Sequence, residues 1–177
     1  SIVVTVSNVS WPSRDESKQG CCVITSADIR WKRVDIKSVS LLPNVLAKQE
    51  AIDASADETW FVDEEGYITE GTASNAWIVT QNNQLVTRQA DENILAGITR
   101  KTILNLVKEE GIEIVERPFT VIEAQRAKEA FFTSSTALIK PVTSIDNVSI
   151  GNGNSGLMTC ALIDKYFEFM ENLTETS

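Results

Sequence analysis

Apolar and polar positions alternate in several short runs along the chain, a pattern typical of β-strands. Ile2–Val6 and Cys21–Thr25 are rich in β-branched residues and are separated by a polar loop. Further along, short alternating runs are divided by the acidic turn DEEG and the polar turn QNNQ, which predicts an antiparallel meander. The predicted meander strands and the later strands are Trp60–Val62, Tyr67–Glu70, Ser74–Thr80, Leu85–Arg88, Ile112–Thr120, Glu129–Ser135 and Lys140–Ile145.

Other segments carry apolar residues three or four positions apart, which predicts helices between the strands. The first follows Pro43, which presets a helical first turn, and it is expected to end near Ser55. A T-x-x-E capping box beginning at Thr120 predicts a helix that runs through Ala130. The predicted helices are Asn44–Ala54, with Val45, Leu46, Gln49 and Ile52 on one stripe, Ile98–Gly111, Thr120–Ala130 and Gly156–Asn172. This mixture of elements predicts an α+β or α/β domain with a barrel-like mixed sheet and flanking helices.

Composition narrows the functional classes. The 177 residues carry a net charge of −9 without a basic cluster, which argues against a nucleic-acid partner. Histidine is absent, so mechanisms that need an imidazole base or ligand are excluded, and no metal site is expected. The N-terminal sequence has no signal-peptide pattern and no run is long enough to span a membrane, so the expected location is the cytoplasm, without membrane contact.

Lys37 stands between an aspartate and a long run of apolar and small residues. A lysine held away from water favours its neutral amine, which can attack a carbonyl and form a Schiff base. The ordinary alternative is a lysine whose stem lies along apolar surface while its ammonium reaches solvent. The glycine-rich stretch Gly151–Gly156 matches a dinucleotide-binding pattern in its letters only, because one helix after it the chain ends, so it is interpreted as a turn.

Four longer stretches occur together and in a fixed order: RWKRVDIKSVSLLPNVLAKQEA, ITEGTASNAWIV, NILAGITRKTIL and FFTSSTALIKPV. In order and spacing they resemble the signature blocks of the class IV pyridoxal-phosphate (PLP) aminotransferases, most closely the D-amino acid aminotransferase branch. The resemblance implies the fold of that family's large C-terminal domain. It implies a division into N-terminal strands at 1–28, continuing from a missing small domain or linker, and a PLP-binding domain at 29–177.

The resemblance also assigns roles to individual residues. Lys37 corresponds to the lysine that forms the internal Schiff base with PLP, and Glu70 to the carboxylate that keeps the cofactor's ring nitrogen protonated. The G-I-T-R block at Gly97 opens a helix, whose backbone N–H groups suit a phosphate. The implied cofactor-binding residues are Arg30, Lys37, Glu70, Leu95, Gly97, Ile98, Thr99, Ser134 and Ser135. Alternatives on sequence alone are a surface arginine at Arg30, an N-cap at Thr99 and strand-end turn chemistry at the serines.

The implied activity is amino transfer between a D-amino acid such as D-alanine and a 2-oxo acid such as 2-oxoglutarate. Aminodeoxychorismate lyase and branched-chain aminotransferase share the lysine and the glutamate and remain alternatives. Because this family carries a further N-terminal domain, the expected partners are that domain, in the same or a separate chain, and a second copy in a homodimer. A non-catalytic domain remnant is the alternative from another class.

Overall fold

The computed structural model describes residues 2–8, 10–109 and 111–175, which contain both strands and helices. The strands are β1 Cys21–Ala27, β2 Glu58–Val62, β3 Ile68–Gly71, β4 Asn75–Val79, β5 Leu85–Thr87, β6 Ile114–Glu116, β7 Glu129–Ser134, β8 Leu138–Ile145 and β9 Val148–Ser149. The helices are α1 Arg14–Ser17, α2 Leu42–Asp53, α3 Ile98–Glu109, α4 Val121–Gln125 and α5 Leu157–Glu175.

The strands form one mixed sheet in the order β3-β2-β1-β8-β7-β4-β5-β6, with β9 paired to β8. β1 runs parallel to both of its neighbours, whereas β7 is antiparallel to β8 and to β4. The Gly71 N–H donates to the Ser74 carbonyl at 2.7 Å across the turn between β3 and β4. This turn joins the edge strand β3 to the inner strand β4, so the sheet curls, and the predicted barrel-like mixed sheet with flanking helices is confirmed.

Large side chains pack on both faces of the sheet. One cluster contains Trp60 and Phe119, and the other contains Trp77, Phe131 and Leu162 and lies under α3 and α5. Trp77 stacks on Phe131 with ring centroids 5.5 Å apart, and its Nε1 donates to Thr133 Oγ1 at 3.0 Å. A buried indole whose N–H has an acceptor carries no desolvation penalty, so this pair fixes β4 against β7 beside the cavity described below.

Several predicted elements differ in the structure. Ile2–Val6 is not a strand, because it has no strand partner and its side chains are exposed, with Ile2 and Val6 each 94% exposed. The helix that starts after Thr120 ends at Gln125 and does not reach Ala130, because β7 already begins at Glu129. The predicted meander is instead two hairpins, β2–β3 and β4–β5, which lie apart in the strand order.

Helix α2 begins and ends where the sequence predicts, but it buries a different face. Its contact with the sheet is made by Ala47 and Ala51, which are 3% and 0% exposed. Their small side chains bring the helix close enough for Thr59 Oγ1 to donate to the Ala47 carbonyl at 2.7 Å. The apolar stripe marked by helical spacing faces outward, with Val45 60% and Ile52 58% exposed.

No helix in the described ranges is both long and apolar enough to cross a bilayer.

Replacing Glu129 with alanine is expected to lower the free energy of unfolding by about 3 kcal/mol. The buried Glu129 carboxylate accepts hydrogen bonds from the backbone N–H groups of Met158 and Thr159 at 3.0 and 2.8 Å, and from Thr159 Oγ1 at 2.8 Å. Alanine leaves these first-turn donors of α5 buried without an acceptor. Chemical denaturation measures the loss. The exposed Glu113, replaced by alanine, should cost less than about 0.5 kcal/mol, and equal losses would contradict the assignment.

Candidate active site

A cavity of about 880 Å³ is walled by the loop after β1, the β3–β4 turn, the loop before α3 and the end of β7. This volume lies in the range usual for small-molecule sites. The cavity brings together every residue that the sequence singles out, although they lie as far apart in the chain as Arg30 and Ser135. The set comprises Arg30, Lys37, Glu70, Leu95, Gly97, Ile98, Thr99, Ser134 and Ser135.

Glu70 supplies a buried acid to this cavity from strand β3 and is 6% exposed. Its Oε1 accepts from Arg30 Nη1 at 2.5 Å, and its Oε2 accepts from Asn75 Nδ2 and from the Leu95 backbone N–H, each at 3.0 Å. Burial raises the pKa of Glu70 to about 7, against the opposing effects of the Arg30 charge and of the hydrogen bonds from Arg30 and the Leu95 N–H. An acid with such a pKa accepts or holds a proton near neutral pH.

Arg30 is a buried residue, so the alternative of an exposed surface arginine is wrong. Its side chain is 4% exposed, and its guanidinium lies 4.5 Å from the centroid of the Phe61 ring. It binds Asp28 through Nε and Nη2 and Glu70 through Nη1. A guanidinium can be buried because planar, forked contacts to two carboxylates compensate for its lost hydration.

Lys37 lies in the irregular segment between β1 and α2 and lines the cavity, but its side chain is exposed. The predicted apolar surroundings are therefore not present in the described structure. The physical reason is that its apolar neighbours are themselves exposed, with Ile36 46%, Val39 96% and Leu41 50% exposed. They therefore do not shield the Lys37 amine from solvent. The amine is available to a molecule in the cavity.

The start of α3 reaches the cavity at Gly97, Ile98 and Thr99. The first N–H groups of a helix have no acceptor within the helix and carry a partial positive charge. A side chain at position 97 would place its Cβ 2.4 Å from Asn75 Oδ1, so the close approach here requires glycine. Thr99 lies within the first turn and is not the N-cap, and its Oγ1 donates to the Ser134 carbonyl at 3.1 Å. The hydroxyl thus joins α3 to β7, while the Ile98 side chain is 77% exposed.

The end of β7 brings hydroxyl groups to the same region of the cavity wall. β7 ends at Ser134, one residue before the predicted end at Ser135. The Ser134 Oγ accepts from the Ala137 N–H at 2.9 Å and lies 3.5 Å from Thr136 Oγ1. Ser135 and Thr136 follow as exposed residues that also line the cavity. Together with the start of α3, these donors suit an anionic oxygen cluster such as a phosphate. Leu95 is half-buried and supplies apolar wall.

Asn75, Asp28 and Thr136 are site residues that the sequence reasoning missed. Asn75 Nδ2 donates both to Glu70 Oε2 at 3.0 Å and to the Leu95 carbonyl at 2.9 Å, and so holds the acid against the loop before α3. Its place within the ITEGTASNAWIV block is the available signal. Asp28 precedes Arg30 by two residues, a spacing that by itself indicates only a loop.

The chain matches the family model for amino-transferase class IV over residues 1–145, and it belongs to that family. A D-alanine aminotransferase from Bacillus licheniformis is 44% identical over 144 residues, which are 81% of this chain and 50% of that protein. A putative branched-chain-amino-acid aminotransferase from Methanocaldococcus jannaschii is 42% identical over 131 residues, which are 74% of this chain and 45% of that protein. The family predicted from the signature blocks is confirmed.

Solved structures show the same relationship at the level of the fold. The branched-chain amino acid aminotransferase from Thermobaculum terrenum, in its PLP form, matches with a TM-score of 0.80 and 32% identity. The match covers 90% of this chain and 53% of that one. The chain spans about half the length of the curated relatives it matches.

Proposed function

We propose that the protein to which this chain contributes is a PLP-dependent transaminase that moves an amino group between a D-amino acid, such as D-alanine, and a 2-oxo acid, such as 2-oxoglutarate. The observation that carries the proposal is the meeting of Lys37, Glu70 and the start of α3 in one cavity of a class IV aminotransferase chain. Each of these features alone has an ordinary structural explanation. Their convergence supports a site for one particular kind of molecule.

The residues present fit PLP. The cofactor combines an aldehyde, a ring nitrogen and a phosphate. The cavity offers an accessible amine at Lys37 for the aldehyde and a buried acid at Glu70 for the ring nitrogen. For the phosphate it offers N–H and O–H donors at Thr99 and Ser134. When bound, PLP supplies an electron sink that stabilises negative charge at the substrate α-carbon. Leu95 adds the apolar surface on which a flat ring packs.

Different residues of this chain serve the aldehyde, the ring nitrogen and the phosphate of the cofactor. The Lys37 amine would be the covalent attachment point for the cofactor and, as a free amine, the base that carries a proton to and from the substrate α-carbon. Glu70, held by Arg30 and Asn75, keeps the proton on the ring nitrogen. The backbone of Gly97, Ile98 and Thr99, with the hydroxyls of Ser134 and Ser135, anchors the phosphate.

The D-amino acid specificity is supported by the D-alanine aminotransferases among the relatives, from Bacillus licheniformis at 44% and Listeria monocytogenes at 43% identity. The string DIKSVSLLPNVLAKQ of the lysine block supports the same branch. Branched-chain aminotransfer is the second candidate, because the Methanocaldococcus jannaschii relative is 42% identical and the solved neighbours carry that name. Aminodeoxychorismate lyase is the remaining alternative within the same fold.

An exposed apolar surface surrounds the cavity and supports a partner. Exposed residues on the loop after β1, on α2 and at the start of α3 form it: Trp31, Ile36, Val39, Leu41, Leu42, Val45, Leu46 and Ile98. A group of exposed large apolar side chains of this kind is typical of an interaction site. We assign it to the part of the longer relatives that this chain does not span and to a second copy in a homodimer, with Lys37 covered on assembly. The expected location is the cytoplasm.

A side-by-side assay of the complete protein with PLP tests the function. D-alanine with 2-oxoglutarate should be the best pair, and L-leucine and aminodeoxychorismate should be turned over at least about 100-fold less efficiently, since a site shaped for one configuration leaves polar groups unpaired with the other. Activity confined to L-leucine would move the protein to the branched-chain branch. A protein that shows no cofactor absorbance and no activity would be the non-catalytic remnant, and intact-mass measurement would then show whether a companion fragment is present.

A further inference from the structure

Asp28, directly after β1, binds one edge of the Arg30 guanidinium through two hydrogen bonds. Its Oδ1 accepts from Arg30 Nε at 2.9 Å, and its Oδ2 accepts from Arg30 Nη2 at 2.7 Å. The carboxylate is fixed in turn, because Thr69 Oγ1 donates to Oδ2 at 2.8 Å and the Asp28 N–H donates to the Val62 carbonyl at 2.8 Å. Asp28 therefore holds Arg30 from the side opposite Glu70.

Arg30 is left with its Nη1 directed at Glu70, at 2.5 Å from Oε1. Three ionisable groups thus form one row, carboxylate–guanidinium–carboxylate, whose side chains are 12%, 4% and 7% exposed. In a region with so little water, charges act on one another more strongly than they do at the surface. Lys37 and Glu58 are further charged groups that line the same cavity.

The charge of this row depends on Asp28. With both carboxylates ionised the row carries one net negative charge, whereas without Asp28 the cation of Arg30 would neutralise Glu70. Burial acts to raise the pKa of Asp28, but the hydrogen bonds and charge of Arg30 and the bond from Thr69 together lower it. Since burial raises the pKa of Glu70 to about 7, Glu70 is the member of the row that exchanges a proton near neutral pH.

We propose that Asp28 is a positioning residue for the cofactor site: it orients Arg30 and offsets its charge, so that Glu70 presents an uncompensated negative charge to the ring nitrogen of the cofactor. This inference rests on the proposed function, because it concerns the partner of Glu70. Arg30 affects Glu70 in two ways: its hydrogen bond holds the Glu70 carboxylate in place, and its positive charge partly neutralises that carboxylate. Asp28 preserves the first effect and offsets the second.

The test replaces Asp28 with asparagine in the complete protein and follows the ¹³C resonance of the Glu70 carboxyl by NMR through a pH titration without cofactor. Glu70→Gln identifies that resonance. Asparagine can still accept from Arg30, so the guanidinium stays in place with its charge no longer offset, and the apparent pKa of Glu70 should fall by about one unit or more. If Asp28 merely holds Arg30 in position, Arg30 would move away and the pKa of Glu70 would rise. A rise or an unchanged value overturns the proposal.

Glu116→Gln is the matched control, because Glu116 also pairs with a buried arginine, Arg100, at 2.6 Å but does not line the cavity. It should leave the titration of Glu70 unchanged. If Asp28→Asn does not fold, the unmodified protein still decides: Glu70 must gain its proton at a higher pH than Asp28, and the reverse order overturns the proposal. Failure to bind PLP, measured in a separate absorbance experiment, would instead refute the proposed function. The titration contains no cofactor, so its result does not depend on PLP binding.

Discussion

Replacing Lys37 with alanine is expected to lower transaminase activity by on the order of 10³-fold or more, because the variant loses both the covalent attachment point and the base that moves the proton. The cavity keeps its other contacts, so the variant should still bind PLP without a covalent bond. Steady-state kinetics of the complete protein measures the rate, and absorbance spectroscopy distinguishes free from attached cofactor.

The matched control for this variant is Lys32→Ala in the same loop. Lys32 is 88% exposed, approaches Glu64 only at 4.0 Å and does not line the cavity, so its loss should leave the rate within about twofold. A Lys37→Ala protein with the activity of Lys32→Ala would show that the proton passes through another group.

Replacing Glu70 with glutamine is expected to lower the rate by on the order of 10²-fold or more, a loss typical when one preorganised electrostatic partner is removed. Glutamine fills the same space but carries no negative charge, and it cannot offer acceptors to Arg30, Asn75 and the Leu95 N–H at once. The ring nitrogen of the bound cofactor then loses the partner that keeps it protonated. The turnover number and the pH dependence of the cofactor absorbance are the measurements.

Glu64→Gln is the control for the Glu70 variant, because the Glu64 side chain is 94% exposed. The substitution removes the same charge, but from the surface. Its rate should match that of the unmodified protein within about twofold. Retention of full activity by Glu70→Gln, with an unchanged absorbance titration, would remove Glu70 from the cofactor site.

The prediction of the site rests on the signature blocks rather than on local patterns. The family match placed Lys37, Glu70, Gly97 and Ser134 in one site, and the structure brings all of them to one cavity. Spacing alone does not do so, because the apolar and small run beside Lys37 is also compatible with a surface lysine. The burial of Arg30 also depends on tertiary partners, Glu70 and the Phe61 ring, that lie over 30 positions away in the chain.

Two of the errors, those on α2 and at Ile2–Val6, have a common physical cause. Apolar periodicity marks surface that is buried somewhere, but it does not say against what. On α2 the stripe that includes Val45 and Ile52 faces outward, and the helix packs through Ala47 and Ala51. Ile2–Val6 is likewise apolar and exposed. Both segments fit the proposal that more protein covers this chain. By contrast, a helix start signal such as Pro43 acts locally, and it predicts the start of α2 correctly.

The most direct test of the central claim, that Lys37 is the residue that holds PLP in a cavity shared with Glu70, is chemical reduction of the loaded protein followed by peptide mass spectrometry. Borohydride makes a bond between the cofactor and a lysine permanent, and the modified peptide identifies the lysine. We predict a phosphopyridoxyl group on the peptide that contains Lys37 and its loss in Lys37→Ala. A group on Lys48 or another lysine, or no modified peptide in a protein that binds PLP, would contradict the account.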